Sequence, residues 1–269
     1  MAVKNIEVLF LGIGAAIPMP GQTNCAYLVR ADEACILVDC GPAIMQQLAA
    51  AGVTPAEITH IYITHRHGDH CLGLPMLMLW WSICAPPEAS YPVIIAGALT
   101  FQTLEQIVAA VFGGDTEKLL ARIKRIALPD KQPSDVPLSA DIVLRTQPLN
   151  HAEFAPDLGA RFEIDGRVLA FTGDTSPTEN VVKLATDADL LVHDSTYSAT
   201  LNPEFAAGIY GHSTAQISAR HAAAAGVRRL ALVHIDAIYE GKQKVFLTEA
   251  TQQFNGAVSI PVAGTLFTF

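Results

Sequence analysis

The feature that most constrains this chain is the stretch Thr64–His70, in which His65, His67, Asp69 and His70 lie within six residues. The preceding residues 58–63 are mostly β-branched or aromatic, which is typical of a β-strand. A loop at the end of a rigid strand can turn several side chains inward, so this placement suits a metal site. Without a metal, such crowded polar groups would lack partners. The mixed imidazole and carboxylate set favours zinc, iron or manganese over calcium or magnesium.

The composition limits the class of protein. The chain has 269 residues, 51% of them hydrophobic, and no evident linker, so we expect one domain over residues 1–269. Its 17 basic and 26 acidic residues give a net charge of -9, unlike nucleic-acid-binding proteins. The five cysteines form no C-x-x-C pair and the amino end lacks a signal-peptide pattern, so we expect a cytoplasmic location. The most apolar segment, residues 72–86, is too short and too rich in proline to span a bilayer, so we expect no membrane association.

The order of predicted elements indicates a layered α/β fold. In the first half, strands are predicted at 6–11, 25–29, 35–38, 58–63 and 93–96, and helices at 42–51, 74–83 and 101–111. Residues 112–127 are predicted to add a further helical segment, and the proline-rich residues 128–138 a surface loop. In the second half, strands at 142–144, 160–164, 168–171, 190–193 and 230–234 accompany helices at 179–185 and 215–225. This double pattern predicts an αββα sandwich, with two mixed β-sheets packed face to face and helices outside.

A metal site made from one loop is incomplete, because zinc takes four or five neighbours and a second metal requires more. Three further candidates, His151, Asp174 and His234, each follow a predicted strand. Since strand ends converge at one edge of a sheet sandwich, these side chains can join the cluster.

The spacing of these residues resembles the metallo-β-lactamase superfamily. The resemblance rests on the T-H-x-H-x-D-H pattern, the following Gly73-Leu74-Pro75, the lone His151, the turn Thr172-Gly173-Asp174-Thr175 and the final His234. It implies that His65, His67 and His151 hold one metal, that Asp69, His70 and His234 hold a second, and that Asp174 bridges them. The commonest zinc β-lactamases carry a cysteine where this chain has Asp174, which argues against β-lactam hydrolysis.

Within the superfamily, the sequence is most similar to ribonuclease Z and its phosphodiesterase relatives. Residues 61–70 and 171–175 resemble segments of that group, Gly211-His212-Ser213-Thr214 matches its Gly-His-Ser-Thr turn, and Asp194 replaces the Glu of its His-Glu-Ala-Thr segment. The resemblance implies that His212 donates or positions the proton for the leaving oxygen, with Asp194 fixing its tautomer. The alternative is that His212 merely neighbours a helix cap at Ser213 or Thr214.

One departure concerns the substrate. Ribonuclease Z enzymes that cut tRNA carry a long flexible arm between the lone histidine and the bridging aspartate. Here the residues between His151 and Asp174 are predicted to form a loop and two strands, which leaves no room for an arm. Together with the net charge of -9, this predicts a small-molecule substrate, a phosphodiester or ester, rather than tRNA.

Two metal ions would lower the pKa of a shared water toward neutrality to give a hydroxide nucleophile, and Asp69 could orient that water or accept its proton. Three functions stay open: a phosphodiesterase, a lactonase or other ester, thioester or sulfate-ester hydrolase with residues 74–83 as an apolar pocket wall, and a non-hydrolytic binding protein. The intact ligand set weighs against the third. We expect zinc, with manganese or iron as alternatives, and a homodimer, which is common among proteins of this kind.

Five other residues receive less specific predictions. Asp39 resembles a family position that buttresses a metal-binding histidine. His193 could contact the site or be structural. His60 and His221 are expected to be structural or exposed, and Cys71 to be a packed thiol.

Overall fold

Two seven-stranded sheets form the centre of the protein in a computed structural model that describes residues 5–86, 89–115, 117 and 121–269. The first sheet contains β1 (Ile6–Gly12), β2 (Ala26–Ala31), β3 (Ala34–Val38), β4 (His60–Ile63), β5 (Val93–Gly97), β6 (Lys124–Leu128) and β14 (Leu266–Thr268), in the order β14-β1-β2-β3-β4-β5-β6. The second contains β7 (Ser134–Pro137), β8 (Ile142–Ala152), β9 (Ala155–Ile164), β10 (Arg167–Phe171), β11 (Leu190–Asp194), β12 (Arg229–Val233) and β13 (Ala257–Ser259), in the order β13-β12-β11-β10-β9-β8-β7.

The helices among the described residues are α1 (Ile44–Ala50), α2 (Gly68–Cys71), α3 (Leu74–Ile83), α4 (Ala98–Phe112), α5 (Glu179–Ala185), α6 (Ala215–Ala224) and α7 (Gln243–Thr251). Short 3-10 helices cover Pro55–Glu57, Gly113–Asp115, Pro203–Ala207, Ile209–Gly211 and Ala237–Tyr239. No helix in the described ranges combines the length and the apolar character that crossing a membrane requires.

Both sheets are mixed, and helices cover their outer faces. Strands β1, β2 and β3 pair antiparallel while β3 to β6 run parallel, and the second sheet pairs antiparallel from β7 to β10 and parallel from β10 to β13. Buried residues of both sheets, including Phe10, Tyr27, Phe162 and Phe171, form a shared core between them. A second core joins the first sheet to α1, α3 and α4, and a third joins the second sheet to α5, α6 and α7. The predicted αββα sandwich is confirmed.

The structure corrects several predicted elements. Residues 124–127, predicted as helical, belong to strand β6, while 116 and 118–120 of the same prediction lie outside the described residues. Part of the predicted loop at 128–138 is strand β7. Both are mostly exposed edge strands, so their sequences lack the apolar alternation that marks a half-buried strand. Strand β8 is also longer than predicted and contains His151 rather than ending before it.

Candidate metal centre

The first sheet positions the metal-binding stretch at the end of β4. Thr64 follows the strand directly, and its backbone N–H donates to Oδ1 of Asp39, 2.8 Å away, at the end of the adjacent β3. Asp39 itself has a φ of 60°, in the left-handed region that few non-glycine residues adopt. Helix α2 then carries Asp69 and His70. The short strand and the buried carboxylate together fix the direction in which the loop leaves the sheet.

The second sheet contributes the other three predicted ligands from its facing edge. His151 lies near the end of β8, Asp174 follows β10, and His234 follows β12 with a φ of 62°. The backbone N–H of His234 donates to the carbonyl of Ile13, which directly follows β1 of the first sheet, 2.8 Å away, and this bond ties the two edges together. All seven predicted ligands therefore meet at one edge of the sandwich.

One group of converging ligand atoms belongs to His65, His67, His151 and Asp174. Nδ1 of His67 lies 3.0 Å from Nε2 of His65 and 3.0 Å from Nε2 of His151. Oδ2 of Asp174 lies 3.6 Å from Nε2 of His65 and 3.9 Å from Nε2 of His151. Neighbouring ligands at roughly 2.0–2.1 Å from a tetrahedral zinc would lie about 3.3 Å apart, so these separations fit one shared ion.

A second group consists of Asp69, His70, Asp174 and His234. Oδ2 of Asp69 lies 3.4 Å from Nε2 of His70 and 3.3 Å from Nε2 of His234. Oδ1 of Asp174 lies 3.4 Å from the same atom of each histidine. These separations match the edges of a tetrahedral ligand shell, and the two oxygens of Asp174 face different groups.

The chemistry of both groups fits a cation. Nε2 of His70 and Oδ1 of Asp174 are buried, and neither has a hydrogen-bond partner among the described residues. Burial lowers the pKa of His65, His67 and His151, which keeps these imidazoles neutral as metal binding requires. At His70, burial opposes a charge, but the carboxylates of Asp174 and Asp39 raise the pKa well above its ordinary value. The second group thus favours positive charge, which a divalent metal ion supplies.

Four of the five histidines are oriented through their other ring nitrogen. The partners of Nδ1 are Oδ2 of Asp157 for His65 at 3.1 Å, Oδ2 of Asp39 for His70 at 2.8 Å, the carbonyl of Gly211 for His151 at 2.9 Å, and Oγ1 of Thr196 for His234 at 2.9 Å. Such contacts hold metal-binding imidazoles in one tautomer and orientation. Asp39 makes the contact that the resemblance predicts. Asp157 was missed, although an aspartate inside a strand is an unusual residue that invites attention.

His212 and Asp194 form a hydrogen-bonded pair beside both groups. Nδ1 of His212 donates to Oδ2 of Asp194, 3.0 Å away, and the His212 ring centroid lies 5.1 Å from His151 and 5.2 Å from His234. Burial alone would lower the pKa of His212, but the carboxylates of Asp194 and Asp174 raise it to about 9.

Asp194 is not available as a metal ligand, although its oxygens lie close to His212 and His234. Its Oδ2 also accepts from the backbone N–H of Thr175 at 3.0 Å, and its Oδ1 accepts from the N–H of Thr196 at 3.0 Å and from the Thr196 hydroxyl. Both carboxylate oxygens are therefore occupied by hydrogen bonds, and this group of atoms is a hydrogen-bond network.

A cavity of about 630 Å³ opens over the two groups. Its lining consists of Ala16, His67, Gly68, Asp69, His151, Ala152, Phe154, Asp174, Tyr210, Gly211, His212 and His234. None of these described lining residues is lysine or arginine. Helix α3, predicted as an apolar pocket wall, packs in the core on the outer face of the first sheet and does not line this cavity.

Comparison with solved structures shows the fold. The metallo-β-lactamase fold protein YhfI from Bacillus subtilis superimposes with a TM-score of 0.81 at 21% identity, over 99% of this chain and 100% of that one. The short form of human tRNase Z superimposes with a TM-score of 0.76 at 25% identity, over 97% of this chain and 98% of that one.

Comparison with known sequences shows the family. The chain is 31% identical over 271 residues to a ribonuclease Z of Mycolicibacterium paratuberculosis, an alignment that covers 95% of each protein. A family model described as anti-Pycsar protein Apyc1 matches residues 6–207. The chain belongs to this family, in the ribonuclease Z-like branch of the metallo-β-lactamase superfamily. It is thus a metallo-hydrolase of the ribonuclease Z or phosphodiesterase type, with His and Asp groups suited to divalent metal.

Other predicted residues of this metallo-β-lactamase superfamily member lie away from the two groups. Nδ1 of His193 donates to the carbonyl of Asp194 at 2.7 Å, and Nε2 lies 2.9 Å from Nδ1 of His221. His60 contacts Thr59, and Cys71 is a buried thiol, as predicted. The cap of α6 is Thr214, whose hydroxyl accepts from the N–H of Ile217.

Proposed function

We propose that this protein hydrolyses small phosphodiesters with two divalent metal ions, zinc being the first expectation. The observation that carries the proposal is the place of His212, which lines the cavity between one histidine of each ligand group and is held by the buried Asp194. A proton donor at this point suits a reaction whose leaving group is an alkoxide, since an alkoxide departs readily only when protonated.

The proposed ligand sets follow the two groups of converging atoms. His65, His67 and His151 would hold one ion, Asp69, His70 and His234 the other, and Asp174 would contribute one oxygen to each. Metal ions bound there lower the pKa of a water molecule toward neutrality and polarise a phosphoryl oxygen.

Two side chains of the cavity are proposed to move protons. Asp69 lines the cavity and can orient the attacking water or accept its proton. The carboxylates of Asp194 and Asp174 raise the pKa of His212 to about 9, which favours its protonated form, and its Nδ1 is engaged by Asp194. Its Nε2–H is thus the donor that remains for the leaving oxygen of the substrate.

The cavity supports a small substrate rather than tRNA. The turn between β8 and β9 consists of Glu153 and Phe154 alone, so no arm extends between His151 and Asp174. Because the mycobacterial ribonuclease Z aligns over 95% of its own length, the compact size alone does not separate the two proteins. The argument against tRNA therefore rests on charge, because the described lining has no lysine or arginine and the chain has a net charge of -9. Beyond His212 and bound metal ions, the described lining offers no positive charge to the many phosphates of a polyanion.

A substrate panel tests this function. Chromogenic phosphodiester, lactone, thioester and sulfate-ester substrates, together with a tRNA precursor, would be offered to zinc-loaded, manganese-loaded and chelated protein. We expect phosphodiester turnover that chelation and Asp174→Ala both abolish, whereas His60→Ala, a histidine remote from the cavity, retains it. Dominant lactone turnover that His212→Ala leaves unchanged would instead support the ester-hydrolase alternative, and cleavage of the tRNA precursor would overturn the exclusion of tRNA.

We further propose a cytoplasmic homodimer. All five cysteines are free, and four of them are buried, which suits a reducing compartment. Helix α3 has no charged residue, and Met76 and Ile83 on its surface are 48% and 71% exposed. The preceding Leu72 is 45% exposed and continues the same stripe at helical spacing. Such an exposed apolar stripe can be buried in an interface with a second copy of the chain.

A further inference from the structure

A second cavity, of about 450 Å³, lies at the opposite end of strands β4, β5 and β6 from the candidate metal centre. We call it the basic cavity, and its lining residues lie at or just before the amino ends of these strands: Ala56, Ile58, Thr59, Ser90, Tyr91, Val93, Arg122 and Lys124. The metal-binding stretch begins beyond the carboxyl end of β4, so the rise of the strand separates the two cavities by roughly 15–20 Å. The volume lies within the range of about 300–1,000 Å³ that is usual for small-molecule sites.

Two cationic side chains line the basic cavity without a neutralising carboxylate. Within the described part of the chain, neither Arg122 nor Lys124 forms an ion pair, whereas Arg125, the next residue of β6, pairs with Glu105. Two like charges on one concave wall repel each other, and a chain with 26 acidic residues has carboxylates available to neutralise them. The uncompensated charge of Arg122 and Lys124 therefore indicates a site for an anion.

Tyr91 fixes the guanidinium of Arg122 at the wall of the basic cavity. The guanidinium carbon lies 4.6 Å from the centroid of the Tyr91 ring, in a cation–π contact. The Tyr91 ring in turn lies 6.2 Å from the ring of Trp81, which is buried in the core between the first sheet and its helices. A stacked guanidinium uses its face and leaves the N–H donors in its plane for a ligand. Arg122 is thus pre-organised for a two-point contact with an oxyanion.

Other parts of the same lining are apolar. Ile58 is buried, and Val93 packs against the core between the two sheets. We propose that the basic cavity binds a small phosphomonoester, with its phosphate on Arg122 and Lys124 and its organic group against Ile58 and Val93. Two adjacent cations favour a phosphomonoester, which carries about two negative charges at neutral pH, over a carboxylate, which carries one. The basic cavity shares no described lining residue with the cavity over the metal-binding groups, so this binding is independent of the proposed hydrolysis.

Calorimetric titration of the chelated full-length protein with butyl phosphate tests the site. We expect Arg122→Ala to weaken binding about 10- to 100-fold and Lys124→Ala about 5- to 20-fold, because each removes charge-assisted hydrogen bonds. Arg122→Lys keeps the charge but not the planar fork and should recover only part of the affinity. The matched control is Arg125→Ala, which removes the neighbouring cation of β6 outside the cavity and should bind as the wild type does.

The chemical class of the ligand is tested with related anions. Pentanoate and butyl sulfate, which carry one charge each, should bind about 5-fold or more weakly than butyl phosphate. Inorganic phosphate, which lacks the organic group, should bind about 10-fold more weakly. Tighter binding of either monoanion would refute the phosphomonoester assignment, and tighter binding of inorganic phosphate would refute the contact with the apolar lining.

A variant of the other cavity separates the two sites. His212→Ala should leave the affinity of the chelated protein for butyl phosphate unchanged. Loss of binding in His212→Ala with none in Arg122→Ala would refute the basic cavity as a binding site, and so would a wild-type protein that binds no butyl phosphate. Circular dichroism checks that the chelated chain is folded. If it is not, the zinc-loaded protein is titrated instead, and the site is refuted when Arg122→Ala removes no part of the binding.

Discussion

Nδ1 of His65 lies 3.1 Å from Oδ2 of Asp157, and both side chains are completely buried. The same Oδ2 accepts from the backbone N–H of Asp174 at 2.9 Å. One carboxylate of strand β9 therefore orients a histidine of the first sheet and an aspartate of the second, across the edge where the two sheets meet.

We predict that Asp157→Asn lowers metal affinity about 10- to 100-fold, the usual effect of losing a partner of a metal-binding imidazole. Asparagine keeps the shape and one acceptor oxygen but cannot form the carboxylate that strengthens the histidine as a ligand. Competition of the protein with a chromophoric chelator for zinc measures this affinity. Asp165→Asn, in the exposed turn after β9, serves as the control, and equal affinity of both variants would show that Asp157 does not act through His65.

If His212 protonates the leaving oxygen, the loss of kcat on its replacement should depend on the leaving group of the substrate. His212→Asn should reduce kcat about 10²- to 10⁴-fold for a phosphodiester with an alkoxide leaving group, because that oxygen then departs without a proton. The loss should be much smaller for p-nitrophenolate, which departs without protonation. Bound metal, measured by elemental analysis, should stay unchanged. Equal losses for both leaving groups would assign His212 to binding or structure instead.

The seven residues of the two ligand groups could be predicted from the sequence more completely than the residues that orient them. Four of the seven lie in one short segment, and the other three lie at or just beyond strand ends, so residue type and position both point to them. The partner of His151 is a backbone carbonyl 60 residues away, which leaves no side-chain signal in the sequence. Thr196, the partner of His234, is likewise an ordinary residue whose role depends on strands β11 and β12 lying side by side.

The elements of the fold show the same contrast between features with a local sequence signal and features that depend on distant contacts. Helices α3 and α5 have the predicted bounds because local signals mark them: Pro75 lies in the first turn of α3, and the hydroxyl of Thr178 caps α5. Strands β6 and β7 were missed because exposed edge strands owe their existence to pairing with β5 and β8, which no local pattern encodes.

The contact between the buried His193 and the half-buried His221 predicts a loss of stability in acid. Burial lowers the pKa of His193 to about 4 and that of His221 to about 3, so the folded protein stays unprotonated where the unfolded chain, with a pKa near 6.5, binds protons. The free energy of unfolding has its full value above pH 6.5 and decreases as the pH falls toward 4. For a fully buried histidine the decrease between pH 7 and 5 is about 2 kcal/mol.

Urea unfolding of chelated protein at pH 7 and pH 5 measures this loss without a contribution from metal release. The double variant His193→Gln, His221→Gln should lose less stability than the wild type over this interval, because glutamine does not titrate. Identical losses in the two proteins would place the acid sensitivity elsewhere.

The exposed apolar stripe of Leu72, Met76 and Ile83 predicts that the protein forms a dimer and that a charge placed in the stripe prevents dimer formation. We expect the wild-type protein to have the mass of two chains by light scattering, and Met76→Glu to have the mass of one, because a buried unpaired carboxylate opposes association. Ile238→Glu tests a residue that is 58% exposed but lies on a different element. A dimer that survives both Met76→Glu and Ile83→Glu would locate the interface on another surface.

Because Gly211 contacts His151, we predict that Gly211→Ala, which adds one methyl group, damages the proposed metal site. A Cβ at Gly211 would lie 2.6 Å from both Nδ1 and the carbonyl oxygen of His151, in addition to the cost of a φ of 80°. At Gly241, with a φ of 74°, a Cβ would meet nothing within 4 Å. Gly241→Ala should therefore lose only about 1 kcal/mol of unfolding free energy for the backbone conformation. Gly211→Ala should lose more and should also bind zinc more weakly, because His151 must move. Zinc titration of the two variants decides this, and equal affinities would mean that the loop yields without displacing the histidine.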